Sequence, residues 1–153
     1  MFIFIKNDNL IFDLIKEKLL EKNFQNLSIN SEKELKKHIK KFLNENILNE
    51  LKCFSEIIEE FNIIWNKKID LYFNCLHSVW IELKYWWINK LRTLEFQIEE
   101  YTNWTWIDSF ILIFYTKNKD KQKTFNKIVE SRVFNKIVKI FEKKQINFMF
   151  VLI

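Results

Sequence analysis

The two ends of the chain carry the apolar patterns of short strands and of one helix. Residues 2–5 are a run of aromatic and β-branched side chains, which is typical of a buried strand. From Leu10 to Leu19 the apolar positions recur at intervals of three and four among charged residues, so this segment is predicted to be an amphipathic helix. Residues 106–115 and 146–153 are nearly continuous apolar runs and are predicted to be strands.

The middle of the chain follows a helical period instead. Ser31 and Glu34 match a capping box, which predicts a helix from there to about Asn44. Two longer stripes then recur every three or four residues, and we interpret them as helices that pack as an antiparallel pair. The first stripe is Ile47, Leu51, Phe54, Ile58, Phe61 and Trp65, and the second is Leu76, Trp80, Leu83, Trp87, Leu91, Leu94 and Ile98.

These patterns predict an α+β protein in which residues 25–105 are a helical insertion. Residues 1–24 and 106–153 are expected to form one discontinuous domain, with the first and last strands adjacent because apolar edges need partners. The type of the segment that begins at Thr124 is ambiguous, since its periodicity is helical. If it starts as a strand and becomes a helix near Phe134, the ends have the order βαββαβ, which is the ferredoxin-like arrangement.

The composition points to an unusual genome. The chain contains no Gly, Pro or Ala and is rich in Lys, Ile, Asn, Phe and Leu, whose codons are mostly rich in A and T. Its six Trp residues run against this bias unless TGA is also read as Trp, as it is in many mitochondria. We therefore expect an organelle-encoded protein of the mitochondrial matrix, with an A+T-rich bacterium or phage as the alternative source. Residues 1–15 lack the Arg-rich, acid-poor composition of a presequence, which agrees with this expectation.

The basic charge is concentrated in one segment near the C-terminus. Residues 117–144 hold ten basic and three acidic residues, whereas the rest of the chain holds 15 basic and 17 acidic ones. Clustered Lys and Arg residues favour a polyanionic partner, and a solvated basic surface without a partner is the alternative. The densest part, residues 117–123, lies between two apolar runs and is predicted to be a loop between strands. Its lysines would contact phosphates, and Arg132 could bind one with two hydrogen bonds.

Short motifs at the two ends match a known pattern in the same order. They are the strand Phe2–Lys6 with the turn Asn7-Asp8-Asn9, the strand Ile111–Ile113, the loop residues Asn118 and Lys119, Phe125, Arg132 seven positions later, and the apolar continuation Val133–Val138. With these motifs the chain resembles ribosomal protein S ten of the small ribosomal subunit. Thr116 stands where that family has a loop His, the family's turn prolines are absent, and residues 25–105 have no counterpart in it.

The resemblance implies a structural constituent of the mitochondrial small ribosomal subunit. It implies contacts with ribosomal RNA through Lys6, Lys117, Asn118, Lys119, Lys121, Lys123, Lys127 and Arg132. The insertion has no basic excess and is rich in aromatic side chains, so we expect it to contact neighbouring small-subunit ribosomal proteins. The alternative function is an accessory helical subunit of an organelle respiratory-chain or ATP-synthase complex.

No pattern in the sequence predicts catalysis, a cofactor, a small-molecule substrate or a metal. Glu59-Glu60 and Glu99-Glu100 are adjacent pairs whose side chains would diverge on a helix. The residues Cys53, Cys75, His77 and His38 lack the spacing of a structural zinc site. The longest apolar run, residues 71–81, is too short for a membrane-spanning helix, which needs about 20 residues.

Overall fold

A computed structural model describes residues 2–7, 9–22, 24, 27, 29–53, 55–64, 67–85, 90–104 and 106–153. The strands are β1 (Phe2–Lys6), β2 (Ile58–Ile64), β3 (Lys67–Cys75), β4 (His77–Tyr85), β5 (Ser109–Tyr115) and β6 (Asn147–Leu152). The helices are α1 (Leu10–Glu21), α2 (Glu32–Leu43), α3 (Lys90–Trp104), α4 (Lys121–Val129) and α5 (Arg132–Lys144). A π-helical turn, Asn44–Leu48, extends α2.

The strands form one mixed sheet in the order β1-β6-β5-β4-β3-β2. Strands β4, β5 and β6 are parallel, and the other neighbours are antiparallel. Helices α1 and α2 pack against one face of the sheet, and α3, α4 and α5 pack against the other. Because both faces are covered, the central strand β5 is buried along its whole length, and its sequence Ser-Phe-Ile-Leu-Ile-Phe-Tyr is apolar on both sides.

The strands and the first helix predicted for the two ends of the chain are confirmed, as is the pairing of the first and last strands. Strand β1 pairs with β6, so that Phe4 lies opposite Phe150. Helix α1 begins after Asn9, whose side chain accepts a hydrogen bond from the Phe12 N–H at 3.0 Å. The capping box of α2 is also present, because the Ser31 hydroxyl accepts a hydrogen bond from the Glu34 N–H at 3.2 Å.

The prediction that residues 25–105 are helical is wrong for residues 58–64, 67–75 and 77–85, which form β2, β3 and β4. The positions Ile69, Leu71 and Phe73 alternate with more polar or half-buried ones, and all three are buried. A strand period of two and a helical stripe can be read from the same apolar run, and only pairing with other strands decides between them. The predicted positions on α3 (Leu91, Leu94 and Ile98) are helical and buried, and Phe54, Trp65 and Trp87 lie outside the described residues.

The α+β class is confirmed, but the strand order does not confirm the ferredoxin-like βαββαβ arrangement. The segment at Thr124 is helical, because α4 covers residues 121–129 and buries Thr124 and Ile128 on one side. The proposed strand near Thr124 is therefore wrong, and residues 121–123, three of the seven in the supposed basic loop, belong to α4. The middle of the chain contributes three of the six strands to the same sheet as the ends. In the part of the chain that the structure describes, no helix has the length and apolar character needed to cross a membrane.

Candidate functional site: a charged cluster where two strands separate

Strands β3 and β4 separate at one end of the sheet. Their antiparallel pairing ends with Leu71 opposite Ile81, while β4 continues alongside β5 as far as Tyr85. Side chains bind the backbone groups of β4 that β3 leaves unpaired. The Leu83 N–H donates to Asp70 Oδ2 at 2.9 Å, and the Tyr85 N–H donates to the carboxylate of Glu32 on α2 at 3.2 Å. Carboxylates therefore replace a missing strand at this point.

Glu82 lies one position beyond the last β3–β4 pair and is buried, with 3% of its surface exposed. Its Oε1 contacts the Lys84 ammonium, whereas its Oε2 has no hydrogen-bond partner among the described residues. Burial raises the pKa of Glu82 to about 7, with the negative charges of Asp70 and Glu32 adding to the effect and Lys84 opposing it. A buried carboxylate with an unpaired oxygen is costly unless another group compensates for it.

Two lysines contact these carboxylates. Lys84 follows Glu82 on the same face of β4, and its pKa is raised, because the nearby carboxylates outweigh the opposing effect of burial. Lys36 reaches across from α2, and its Nζ lies 2.9 Å from Asp70 Oδ1. We call Asp70, Glu82, Lys84 and Lys36 the charged cluster. On the α3 side the buried Tyr101 donates to the Lys68 carbonyl at 2.9 Å, and its pKa is raised by burial and by the nearby carboxylates.

The charged cluster extends from the middle of the parallel β4–β5 ladder, where Glu82 lies opposite Leu112, towards the end where the parallel strands finish, where Lys84 lies opposite Phe114. In open sheets with parallel strands this is the edge at which ligands bind. After β5 the chain turns with the Thr116 N–H bonded to the Ile153 carbonyl at 3.0 Å. Lys117 then donates to Asn30 Oδ1 at 2.8 Å, just before the start of α2. The basic segment therefore begins at the same end of the molecule as the charged cluster.

The residues predicted to bind RNA do not all remain available for a ligand. Lys6 pairs with Glu142 at 2.7 Å, and Lys117 is bonded to Asn30. Asn118 stabilises the start of α4, because its side chain donates to Thr124 Oγ1 at 3.0 Å and accepts from the Asp120 N–H at 3.1 Å.

Four of the predicted RNA-binding residues are exposed and form no ion pair within the described part of the chain. They are Lys119, Lys123, Lys127 and Arg132, and we call them the basic surface. Lys123 and Lys127 lie four residues apart on α4 and so share one side of the helix. Lys121 is also on α4, but it is partly buried, and burial lowers its pKa.

The other sequence candidates show no chemistry of their own. In the described residues, Cys53 and Cys75 are free thiols, and no three His, Cys, Asp or Glu side chains gather as a metal site. Burial and the neighbouring Cys53 raise the pKa of Cys75 to about 12, so it is a poor nucleophile at neutral pH. His38 lies on α2, and Glu59 on β2 pairs with Lys40 at 2.7 Å.

The charged cluster was not predicted from the sequence because the segments that form β2, β3 and β4 were expected to belong to two helices and the connection between them. A usable signal was present. Glu82 and Lys84 interrupt an apolar run at positions i and i+2, and on a strand these share one face. On a helix the same charges would be solvated, whereas on a strand of a two-sided sheet they must lie in the interior. The chain matches no protein-family model, and no curated protein or solved structure matches it either.

Proposed function

We propose that this protein hydrolyses phosphodiester bonds of a nucleic acid, using a divalent cation held by Asp70 and Glu82. The observation that carries the proposal is the buried Glu82 carboxylate, which lies one position beyond the last β3–β4 pair, is influenced electrostatically by Asp70 and keeps one oxygen without a partner among the described residues. A stable protein has little reason to bury such a group in the interior of its sheet, and functional sites are where such costs are tolerated.

The chemistry of the carboxylates fits Mg²⁺ or Mn²⁺. Mg²⁺ is usually held by only one or two carboxylates and completes its shell with water and phosphate oxygens, so the absence of a third protein ligand among the described residues suits it. When bound, such a cation supplies charge neutralisation at a phosphate and activation of water. The raised pKa of Glu82 means that its ionised form is disfavoured in the protein alone. A divalent cation bound beside it would stabilise that ionised form.

Lys84 has a distinct role in this proposal. Its pKa is raised, so it carries a full positive charge at neutral pH and does not act as the general base. Its ammonium contacts Glu82 and lies on the same face of β4, so a phosphate bound at the carboxylates is within its electrostatic influence. We assign Lys84 to stabilising negative charge on that phosphate.

The basic surface favours a polymeric substrate over a small phosphate ester. Lys119, Lys123, Lys127 and Arg132 follow Lys117, which is bonded at the end of the sheet that carries the charged cluster. A row of exposed cations binds successive phosphates of a nucleic acid without reading its bases. The substrate recognition that we propose is therefore independent of sequence and sensitive to salt.

Cleavage of plasmid DNA and of a single-stranded RNA, with Mg²⁺ or Mn²⁺ present, tests the proposal. We expect Glu82→Gln and Asp70→Asn to lower the rate at least about 100-fold, since each removes charge directly at the reaction. Lys40→Met is the matched control, because Lys40 pairs with Glu59 outside the charged cluster. The proposal is wrong if the parent cleaves neither polymer with either cation, or if Glu82→Gln is as active as Lys40→Met.

A second candidate is the ribosomal role, in which the protein is a structural component of the mitochondrial small subunit. The basic surface supports it, because four exposed cations without ion pairs among the described residues suit contact with ribosomal RNA. The ferredoxin-like arrangement expected for the two ends of the chain is part of this second proposal. Sedimentation of organelle lysate separates the two functions. Under the ribosomal role the chain sediments with the small subunit, neutralising the basic surface releases it, and Glu82→Gln has no effect.

A further inference from the structure

Lys36 is the one member of the charged cluster that comes from α2. Its ammonium lies 2.9 Å from Asp70 Oδ1 and also contacts the carboxylate of Glu60. The side chains of Lys36 and Asp70 are 13% and 14% exposed, whereas that of Glu60 is 50% exposed. Lys36 is therefore shared between an interior carboxylate and one near the surface.

The position of Glu60 depends on an unusual backbone. Glu60 lies on β2 and has φ of 53°, which is left-handed and uncommon for a residue other than Gly. Its neighbours Glu59 and Phe61 pair regularly with β3, so the irregularity is local. Such a distortion costs about 1–3 kcal/mol and re-aims a side chain. Here the re-aimed side chain is the one that binds Lys36.

Lys36 also lies between Asp70 and solvent. A trough of about 940 Å³ runs between α2 and β2, and its lining includes Lys36, Glu60, Glu59 and Lys40. A cation that enters from this trough meets the Lys36 ammonium before it meets Asp70. A divalent cation and an ammonium repel each other when both contact Asp70, so they do not share one carboxylate oxygen without a penalty.

We propose that Lys36 is an internal counter-ion that competes with a divalent cation for Asp70, and that it withdraws onto Glu60 when the cation binds. This inference rests on the proposed function. In the cation-free protein Lys36 keeps the Asp70 charge neutralised. Glu60 provides the second position for the ammonium, so that cation binding does not leave Lys36 without a partner.

Titration of the full-length chain with Mn²⁺, measured by calorimetry, tests this competition without using activity. We expect Lys36→Met to bind Mn²⁺ about tenfold more tightly than the parent, and Lys36→Arg, which keeps the charge, to bind about as the parent does. Lys40→Met is the matched control, because it removes a similar charge one helical turn away, and its affinity should change less than twofold. Thermal unfolding of each variant checks that the fold is intact.

Glu60 gives a second and independent arm. Glu60→Gln should weaken Mn²⁺ binding several-fold, since Lys36 then has only Asp70, and Glu59→Gln controls for the loss of one negative charge. In a Lys36→Met background, Glu60→Gln should have no more effect than Glu59→Gln, because Glu60 acts through Lys36.

The outcomes separate the inference from the proposed function. If the parent shows no Mn²⁺ binding that is lost in Asp70→Asn and Glu82→Gln, the proposed function fails and the inference fails with it. If that binding is present but Lys36→Met is no tighter than Lys40→Met, the inference is wrong and the proposed function stands. If Lys36→Met binds more weakly than the parent, Lys36 supports the site instead of competing for it, and the inference is again wrong.

Discussion

Strands β4 and β5 are parallel neighbours in the middle of one sheet, yet β4 carries charged side chains and β5 carries none. Glu82 and Lys84 on β4 lie beside Leu112 and Phe114 on β5, at the same depth and between the same two layers of helices. Strand β5 has a partner on both sides over its whole length, whereas β4 loses β3 beyond Ile81. The charged side chains Glu82 and Lys84 therefore lie inside this protein at the point where the backbone pairing of β3 with β4 stops.

The comparison indicates that the charged side chains of β4 do not make the sheet more stable than apolar ones would. A buried ion pair usually contributes no more to stability than well-packed apolar residues of the same size. Continuing the pattern of β5 into β4 would therefore be neutral or stabilising. The sheet instead keeps a buried carboxylate of which one oxygen has no partner in the part of the chain that the structure describes, and such costs are typical of sites where stability is exchanged for activity.

The largest expected effect comes from breaking the ion pair in β4. We expect Lys84→Met to lower the free energy of unfolding by about 3–5 kcal/mol at pH 8, because the buried Glu82 then either keeps its charge without a cation or must take up a proton. The double variant with Glu82→Leu and Lys84→Met should recover at least the parental stability, since both positions then match β5. Chemical denaturation measures both effects. Equal stability of the parent and the single variant would show that β4 tolerates an unpaired charge.

A somewhat smaller effect is expected from pH. Burial raises the pKa of Glu82 from the ordinary 4.5 to about 7, so between these values the folded protein binds a proton that the unfolded chain releases. The stability linked to Glu82 is therefore fully present below about pH 4.5 and is lost as the pH rises to about 7. The loss amounts to about 3 kcal/mol.

The measurement is the difference in unfolding free energy between the parent and Glu82→Gln, taken at pH 5 and at pH 8 without divalent cations. We expect the parent to lose stability relative to the variant as the pH rises. A difference that does not change with pH would mean that Glu82 ionises as an exposed carboxylate does. The difference between β4 and β5 would then be one of side-chain packing and not of the energy of a buried charge.

The smallest effect is expected at the opposite end of β4. Asp108 accepts hydrogen bonds from the Ser78 N–H at 2.9 Å and from the Ser78 hydroxyl at 2.8 Å, and these bonds lower its pKa. Asp108→Ala should destabilise the protein by about 1–2 kcal/mol at neutral pH. For the parent this contribution is lost as the pH falls through the lowered pKa, which is the reverse of the trend for Glu82. Urea unfolding at pH 7 and pH 3 tests the sign.

The elements that could be predicted from the sequence are those that depend on interactions between residues close together in the chain. Residues 10–21 repeat their apolar positions every three or four residues and begin after a capping Asn9, so neighbours in the chain are enough to make α1. The runs that form β1, β5 and β6 are short, apolar and bounded by polar residues. The basic excess of residues 117–144 was also visible, and it lies mostly on α4 and α5.

The candidate site was not predictable in the same way. Its members are Asp70 on β3, Glu82 and Lys84 on β4 and Lys36 on α2, and each one alone resembles a solvated surface residue. What joins them is the register of β3 with β4 and the point at which the two strands separate. That register depends on packing against helices that are distant in the chain.

By itself the sequence determined the class of the protein, its terminal strands, its capped helices and its basic C-terminal segment, because these depend on interactions between near neighbours. Only the tertiary structure decided that residues 58–64, 67–75 and 77–85 are strands, because the backbone hydrogen bonds of a strand are made with neighbouring strands that pair with it in the folded protein. Because β4 is a strand of this sheet, Glu82 and Lys84 lie on one of its covered faces. On a helix those charges would face water, whereas on a strand between two helical layers Glu82 is buried and Lys84 is half-buried beside it, just beyond the last β3–β4 pair.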